Sequence, residues 1–394
     1  MASLYVTSNN ARKVVVVILG VFIAIILIDT FIRVGGTLNP GPSATRRFYL
    51  DPDRKLGDIT APNIPAIDID TSNATYAQES AEPVFPDVSY VYAIEQPREK
   101  LNTLENANKT ASSLGFTATG FKSLGNNDYS WTIADQTKTL KFNKLTQIWS
   151  FSTIYENNTD AKKKKTMLQD INSYSSKATT LLNSLLFSSG LGLTSPQTDA
   201  RYIIRTEQGD ISETTDYKLA NYVKLNVYRK LARADLRETK DQPKGLTGEV
   251  KPQDVVGVVY KTDPRVGEFS ATVSNDLTNL GRDIFEMKFV NYEYGAKGNY
   301  YIVTAEEAFS RIQKGQGSLV ALSAEGSDYF ANYTKILVNR FIIDARKTTL
   351  GFYEPDEWTG YTYPIYIFTG RAELSDGRLA KFTYYVDAIK RLDS

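Results

Sequence analysis

The feature that most constrains this chain is a continuous apolar run close to its N-terminus. Residues Val14 to Ile28 contain no polar side chain, and apolar character continues to Val34 across three polar interruptions. A helix that spans a bilayer needs roughly 20 mainly apolar residues. The run therefore predicts a transmembrane anchor over residues 14–34, preceded by a cytoplasmic stub over residues 1–13. Because the stub is short and the body after it is long, we expect most of the chain to lie outside the cytoplasm.

Two further points concern this segment. Gly20 and Ala24 are small residues one helical turn apart, which predicts a contact face for another transmembrane helix. The uninterrupted core, Val14 to Ile28, also fits the hydrophobic region of a cleaved signal peptide, which is the competing interpretation. Basic residues flank both ends of the run, so the positive-inside rule does not decide the orientation.

Cysteine and histidine are both absent from the 394 residues. Their absence excludes disulfides, thiolate metal sites and every nucleophile–histidine arrangement. The 45 acidic and 46 basic residues nearly cancel, so the composition gives no reason to expect a nucleic-acid partner. We therefore predict no catalytic residue, no metal and no cofactor, in a protein from the outer side of a bacterial membrane.

The remaining sequence divides by its content of proline and by the order of its predicted elements. A Pro-rich linker is predicted first, and three modules follow it, each of which reads as helices combined with runs of alternating apolar residues typical of strands. This order predicts an α+β fold in which helices pack on antiparallel sheets. The predicted ranges are 35–82 for the linker and 83–158, 159–295 and 296–394 for the modules.

Several local signals support these elements. A helix is predicted between Pro97 and the stop at Gly115, and a longer one from about Asp160 to Ser188. Thr304 and Glu307 form a capping box at the start of a third helix. Asp376-Gly377 predicts a two-residue hairpin turn between the last two strands.

Two groups of charged residues are candidate sites. The first is the run Lys162, Lys163, Lys164 and Lys165, which predicts contact with an anionic polymer or with lipid headgroups, although such a run is more commonly a solvated helix start. The second places acids beside aromatic side chains in one connection between strands, which predicts a partner or ligand surface. Its members are Glu354, Asp356, Glu357, Trp358 and Tyr361. The alternative is an ordinary solvated loop.

The third module resembles a known family of bacterial extracytoplasmic domains. The resemblance covers roughly Tyr300 to Ile389 and depends on a helix start, a glycine turn and three aromatic strands. The matching stretches are Thr304-Ala-Glu-Glu-Ala-Phe309, Lys314-Gly-Gln-Gly317, Leu350-Gly-Phe-Tyr353, Tyr363-Pro-Ile-Tyr-Ile-Phe-Thr-Gly370 and Tyr384-Tyr-Val-Asp-Ala-Ile389. They resemble YycH/YycI-type and PepSY-like domains.

The resemblance implies an accessory protein that modulates a membrane sensor kinase or an envelope enzyme by contact. It implies no catalytic residues. Two alternatives from other classes remain. One is a carboxylate-dependent enzyme acting on cell-wall glycan through Glu354, Asp356 or Glu357. The other is a structural subunit of the envelope, which would self-associate.

Overall fold

A computed structural model of the chain describes about two thirds of its length. The described residues are 46–49, 51–80, 83, 85–125, 127–133, 137–153, 180, 196–205, 211–216, 218–220, 222–239, 256–273, 284–290, 292–325 and 337–391. The chain divides into two compact units, Met1–Phe48 with Leu236–Val250, and Tyr49–Asp235 with Lys251–Ser394. The first unit contributes residues to a two-stranded sheet of β1 (Arg46–Tyr49) and β12 (Leu236–Thr239). All features discussed below belong to the second unit.

The second unit contains a nine-stranded antiparallel sheet. Its spatial order is β4-β5-β6-β7-β15-β14-β10-β8-β9. The strands are β4 (Phe121–Ser123), β5 (Asp128–Thr132), β6 (Lys138–Asn143), β7 (Trp149–Thr153), β8 (Gln197–Arg205), β9 (Ile211–Glu213), β10 (Tyr222–Tyr228), β14 (Phe269–Val273) and β15 (Ile284–Phe289). One face packs under helix α1 (Thr103–Ser113), where Ala107, Ala111 and Leu114 join a core that includes Trp131 and Phe151.

A ten-stranded sheet forms the rest of this unit. Its strands are β2 (Thr75–Glu79), β3 (Val88–Ile94), β11 (Lys230–Ala232), β13 (Val256–Tyr260), β16 (Tyr294–Tyr301), β17 (Ser318–Ala324), β18 (Val338–Asp344), β19 (Thr349–Tyr353), β20 (Tyr361–Leu374) and β21 (Leu379–Asp387). The long strand β20 pairs along its length with β3, β18, β19 and β21. Because β20 is the strand that most others contact, it organises the sheet.

The two faces of this sheet are covered by different parts of the chain. Helix α2 (Ala305–Gln313) packs Ala308 and Ile312 against the face that carries Phe341 and Phe382. The other face carries an apolar cluster with Tyr385, and the segment before β2 contributes Ile59 to it. The segment 51–80 is therefore part of the folded unit, and its main chain is tied to the sheet where Ile67 N donates to Leu319 O at 2.8 Å.

Two local predictions are confirmed, and a third is confirmed in its position but not in its length. Thr304 and Glu307 form the capping box of α2, since each side chain accepts a hydrogen bond from the other residue's backbone N–H at 3.1 Å. Gly377 occupies the hairpin turn between β20 and β21 with φ of +84°, but the turn is longer than the predicted two residues, because Leu374 N donates to Arg378 O at 2.9 Å and leaves three residues between them. Helix α1 ends before Gly115, which has φ of +83°. The helix predicted from Asp160 to Ser188 lies, apart from residue 180, outside the described residues.

The predicted fold class is wrong. The protein is mainly β, with 49% of the described residues in strands, and these residues contain only two α-helices beside two large sheets. Alternating apolar runs from all three predicted modules pair with one another, so β7 joins β15 and β3 joins β20. The helices each cover part of one sheet and do not form a layer of their own. Packing of sheets and loops supplies most of the core.

The description as a single-pass transmembrane protein is likewise not supported. No helix among the residues that the structure describes is long and apolar enough to cross a bilayer. The segment 14–34, including Gly20 and Ala24, lies outside those residues.

Candidate functional site

The predicted acidic and aromatic surface lies in the connection between β19 and β20, which we call the Trp358 loop (residues 354–360). The structure separates its members by burial. Asp356, Glu357 and Trp358 are exposed, and Tyr361 at the start of β20 is half-buried. Glu354 is only 1% exposed and points into the protein. The three acids therefore do not face one common cleft.

Glu354 belongs to a buried ion pair with Lys261. Both side chains are at most 2% exposed, and the Lys261 ammonium contacts Glu354 Oε1 directly. The Tyr294 hydroxyl donates a hydrogen bond to the other carboxylate oxygen. The ring of Tyr292 lies 5.4 Å from the Lys261 ammonium, within the range of a cation–π contact. Because these partners supply the solvation that water would provide, both charges can be buried.

A second ion pair lies beside the first. Arg229 Nη2 is 2.6 Å from Glu268 Oε1, and both side chains are largely buried. Arg229 also donates to the carbonyl oxygen of Tyr292 at 3.1 Å, and its guanidinium lies 4.9 Å from the ring of Tyr294. We call Arg229, Lys261, Glu268 and Glu354 together the charge cluster.

The positions of these four residues explain how they meet. Arg229 and Lys261 follow the last residues of β10 and β13, Glu354 follows β19, and Glu268 precedes β14. Strands β10 and β14 belong to the nine-stranded sheet, while β13 and β19 belong to the ten-stranded sheet. The charge cluster therefore joins strand ends of the two sheets, and it has the features of a structural element that holds them in one arrangement.

The electrostatics of the charge cluster are set by burial. Burial raises the pKa of Glu268 to about 7, because desolvation outweighs the opposing attraction of Arg229, and the nearby Glu354 charge adds to the rise. Burial and the Glu354 carboxylate also raise the pKa of Tyr294 well above its usual value. The charges that face Glu268 are Arg229, Lys261 and Glu354.

We expect the free energy of unfolding to fall as the pH rises from about 5 to about 8. The pKa of Glu268 in the folded protein lies above its ordinary value of 4.5, so the folded state binds this proton more tightly than the unfolded state does. The resulting stabilisation is complete below the ordinary value and is lost progressively as the pH rises from that value to about 7, by on the order of 3 kcal/mol in all. Urea unfolding at several pH values measures it.

The variant Glu268→Gln should show a shallower dependence of unfolding free energy on pH. Glu286→Gln is the matched control, because Glu286 lies on the same sheet with a side chain that is 57% exposed and outside the charge cluster. An unchanged slope in Glu268→Gln would contradict the assignment of this titration.

The Trp358 loop is held at both ends and in the middle. Glu354 N donates to Tyr260 O at 2.9 Å, and Gly360 O accepts from Ile94 N at 2.7 Å. The Tyr292 hydroxyl donates to Asp356 O at 2.8 Å, and the Trp358 indole N–H donates to Ile94 O at 3.3 Å. The exposed face of Trp358 is thus presented by a fixed backbone.

Apart from the Trp358 loop and the charge cluster, the protein has a groove of about 710 Å³ between the two sheets. Residues at the start of β8 line one wall, and β17 and β21 line the other. Its arginines are already paired: Arg201 lies 2.9 Å from both Asp199 and Glu213, and Arg265 lies 2.8 Å from Asp263. The paired charges nearly cancel, so the groove does not select a strongly charged ligand.

Other predicted site residues are not described. Lys162, Lys163, Lys164 and Lys165 lie outside the described residues, as do Gly20 and Ala24.

The sequence analysis did not identify Arg229, Lys261 and Glu268 as candidate site residues. The available signal was weak, since it consists of a charged residue directly beside the end of an apolar strand. Among the residues that the structure describes, no three carboxylates come together in a way that could hold a metal ion.

The comparisons with known proteins give little guidance. No protein-family model matches this chain, and no curated protein matches it. Among solved structures, the chain is similar to an uncharacterised protein from Eubacterium rectale, with 10% sequence identity over 82% of this chain and 92% of that chain. The TM-score of 0.39 is too low to support a conclusion about this protein.

Proposed function

We propose that this protein is a non-enzymatic binding protein of the bacterial cell envelope, which acts outside the cytoplasm by contact with another protein. The binding surface is the exposed part of the Trp358 loop, Asp356, Glu357 and Trp358. The resemblance of the C-terminal module to YycH/YycI-type and PepSY-like domains suggests a membrane sensor kinase or an envelope enzyme as the class of partner.

The observation that carries this proposal is Trp358. Its side chain is 43% exposed, although tryptophan is usually largely buried. Its indole N–H is engaged with Ile94 O, so the ring is presented to solvent by a fixed attachment. Exposed, pre-organised aromatic side chains are the residues that most often dominate binding at protein interfaces. The neighbouring Asp356 and Glu357 favour a basic segment of the partner.

The location outside the cytoplasm is supported by the sequence. The chain has no cysteine, so a location outside the cytoplasm would not require the formation of disulfides. The apolar run from Val14 to Ile28 has the composition of a segment that directs export.

Two alternatives remain predictions. A glycan enzyme would require a carboxylate pair that reaches the substrate. In this structure Glu354 is buried, where it forms an ion pair with Lys261 and accepts a hydrogen bond from the Tyr294 hydroxyl. Asp356 and Glu357 are exposed and remain available to such a substrate. A structural envelope subunit would self-associate, which sedimentation of the full-length chain would detect.

The proposal is tested by substituting Trp358. We expect Trp358→Ala to reduce recovery of one specific envelope protein by at least tenfold in affinity capture from membranes with full-length chains. The unfolding free energy should fall by no more than about 2 kcal/mol, because the side chain is 43% exposed and the substitution removes one hydrogen bond, to Ile94 O. Quantitative mass spectrometry of the captured proteins measures the first effect, and urea unfolding measures the second.

Leu337→Ala is the matched control, since Leu337 is also a large exposed apolar residue, 54% exposed, just before β18. It should recover the same protein as the unaltered chain. If all three chains recover every protein equally, the Trp358 loop is not the binding surface.

A further inference from the structure

Three exposed lysines lie in one line across the nine-stranded sheet. The register of the strands puts Lys122 opposite Ser130, Ser130 opposite Lys141, Lys141 opposite Ser150, and Ser150 opposite Lys288. We call these five residues, which belong to β4, β5, β6, β7 and β15, the lysine row. Residues directly opposite each other in an antiparallel pair carry their side chains on the same face. The lysine row is therefore one continuous line in which lysine alternates with serine.

The lysine row lies on the face of the sheet that points away from helix α1. The residues that flank it along the strands, such as Trp131, Leu140 and Phe151, belong to the apolar core on the α1 side. Since side chains alternate along a strand, the row points to the opposite face. All three lysines and Ser150 are exposed, whereas Ser130 is 8% exposed.

The exposed line has two defined ends. The next residues in the same line are Ser270 of β14 and Asn226 of β10, which are 5% and 1% exposed. At the other end, Lys122 lies on β4, the first strand of the sheet. The exposed line therefore crosses four strand spacings, about 19 Å in all, and successive lysines are roughly 10 Å apart.

The charges around the lysine row leave it positive. Two acids share this face of the five strands, and both have partners outside the row. Glu286 on β15 lies 2.6 Å from the ammonium of Lys224. Asp128 on β5 accepts a hydrogen bond from Asn143 Nδ2 at 2.8 Å. The row itself contains no acid, so it is a line of three positive charges separated by hydroxyl groups.

The composition of this face distinguishes between classes of partner. Protein interfaces are enriched in aromatic residues, methionine and arginine, and are depleted in lysine and serine. Segments that insert into lipid carry apolar side chains, and single-stranded nucleic acids stack their bases on aromatic ones. The row and the line beside it, formed by Thr132, Thr139 and Ser152, consist of lysine and hydroxyl residues. A hydrophilic polymer with repeated negative charges fits this face best.

We propose that the lysine row binds a linear anionic polymer of sugars or polyols, whose carboxylate or phosphate groups contact Lys122, Lys141 and Lys288. The hydroxyl of Ser150 donates to an oxygen of the polymer between two of these contacts. Because an ion pair in solvent is weak by itself, the affinity comes from several contacts along one chain. This surface is distinct from the Trp358 loop and goes beyond the protein contact proposed above.

The experiment compares two triple variants of the full-length chain, purified in mild detergent. The row variant carries Lys122→Gln, Lys141→Gln and Lys288→Gln. The matched control removes the same charge from three exposed lysines outside the row, by Lys55→Gln, Lys314→Gln and Lys390→Gln. Both variants should unfold at nearly the temperature of the unaltered chain, because all six substituted side chains are exposed. Thermal unfolding followed by circular dichroism checks this.

The probes are polygalacturonate, which carries carboxylates, and poly(glycerol phosphate), which carries phosphates, with uncharged dextran as the reference. We expect at least one of the two polyanions to bind the unaltered chain, and dextran not to bind. The row variant should bind the same polyanion about tenfold more weakly, and the control variant within about twofold. Binding should weaken as salt is added, with a shallower dependence on salt in the row variant. Biolayer interferometry measures these affinities.

The length of the polymer gives a second readout. Fragments long enough to reach across the row, roughly 19 Å, should bind the unaltered chain more tightly than fragments that reach only two lysines. In the row variant this dependence on length should disappear, whereas the control variant should keep it.

Three results would overturn the proposal. One is that neither polyanion binds, and another is that the row variant and the control variant bind equally well. The third is that vesicles of anionic lipid, or RNA, bind more tightly than either polymer and lose this binding in the row variant, which would assign the row to another class of partner. Trp358→Ala should bind the polymers normally, so failure of this surface is distinguishable from failure of the Trp358 loop.

Discussion

Replacing Lys261 by alanine is expected to lower the free energy of unfolding by about 3–5 kcal/mol. The substitution leaves the Glu354 carboxylate inside the protein without its counter-charge, and Glu354 is only 1% exposed. An unpaired buried charge costs far more than the net value of the pair, because the desolvation of the remaining partner is no longer offset. Urea unfolding with circular dichroism measures the change.

Two controls define what this result means. The double substitution Lys261→Met with Glu354→Gln removes both charges and keeps an acceptor for the Tyr294 hydroxyl, so it should recover most of the lost stability. Lys297→Ala removes an exposed partner of Asp235, 3.3 Å away, and should cost less than about 1 kcal/mol. If Lys261→Ala is no more costly than Lys297→Ala, the charge cluster does not hold the sheets together.

Replacing Gly370 by alanine is expected to lower the free energy of unfolding by about 3 kcal/mol, the upper part of the range for overpacking. Gly370 lies in β20 opposite Ile343 of β18, and a Cβ atom added to it would be 2.1 Å from the carbonyl oxygen of Ile342. That oxygen belongs to the backbone of the neighbouring strand and cannot rotate away. The strands β18 and β20 would have to separate locally.

Gly125→Ala is the matched control for this prediction. A Cβ atom at Gly125 meets no atom within 4 Å, so the change should be within about 0.5 kcal/mol of the unaltered protein. Hydrogen exchange of the β18 amides should also become faster in Gly370→Ala and not in Gly125→Ala. Equal stability of the two variants would show that the sheet can absorb the added methyl group.

Gly370 and Glu354 illustrate two different limits of prediction from sequence. The residues around Gly370 predict a strand rich in aromatic side chains, yet nothing nearby in the chain shows that the backbone of β18 passes so close. Glu354 reads as one of several acids in a surface loop, and only the approach of Lys261, 93 residues earlier, makes it a buried partner. Exposure and pairing depend on contacts that the local pattern does not contain.

The fold class was mispredicted for a related reason. Each predicted module contained a helix and several strands, and that local order suggested helices layered on separate sheets. The strands instead pair across long separations, such as β2 with β18 and β13 with β19, both in parallel. Pairing over such distances leaves little trace in the sequence, because the same alternation suits many partners.

The sequence by itself determined the features whose causes lie within a few residues. The capping box at Thr304, the hairpin turn at Gly377 and the end of α1 before Gly115 depend on local hydrogen bonds and on φ values that few residues adopt. Only the tertiary structure decided which acids of the Trp358 loop reach solvent and which distant residues meet in the charge cluster. Both are set by which distant strands lie side by side, and local alternation of apolar residues does not specify that pairing, because the same alternation suits many partners.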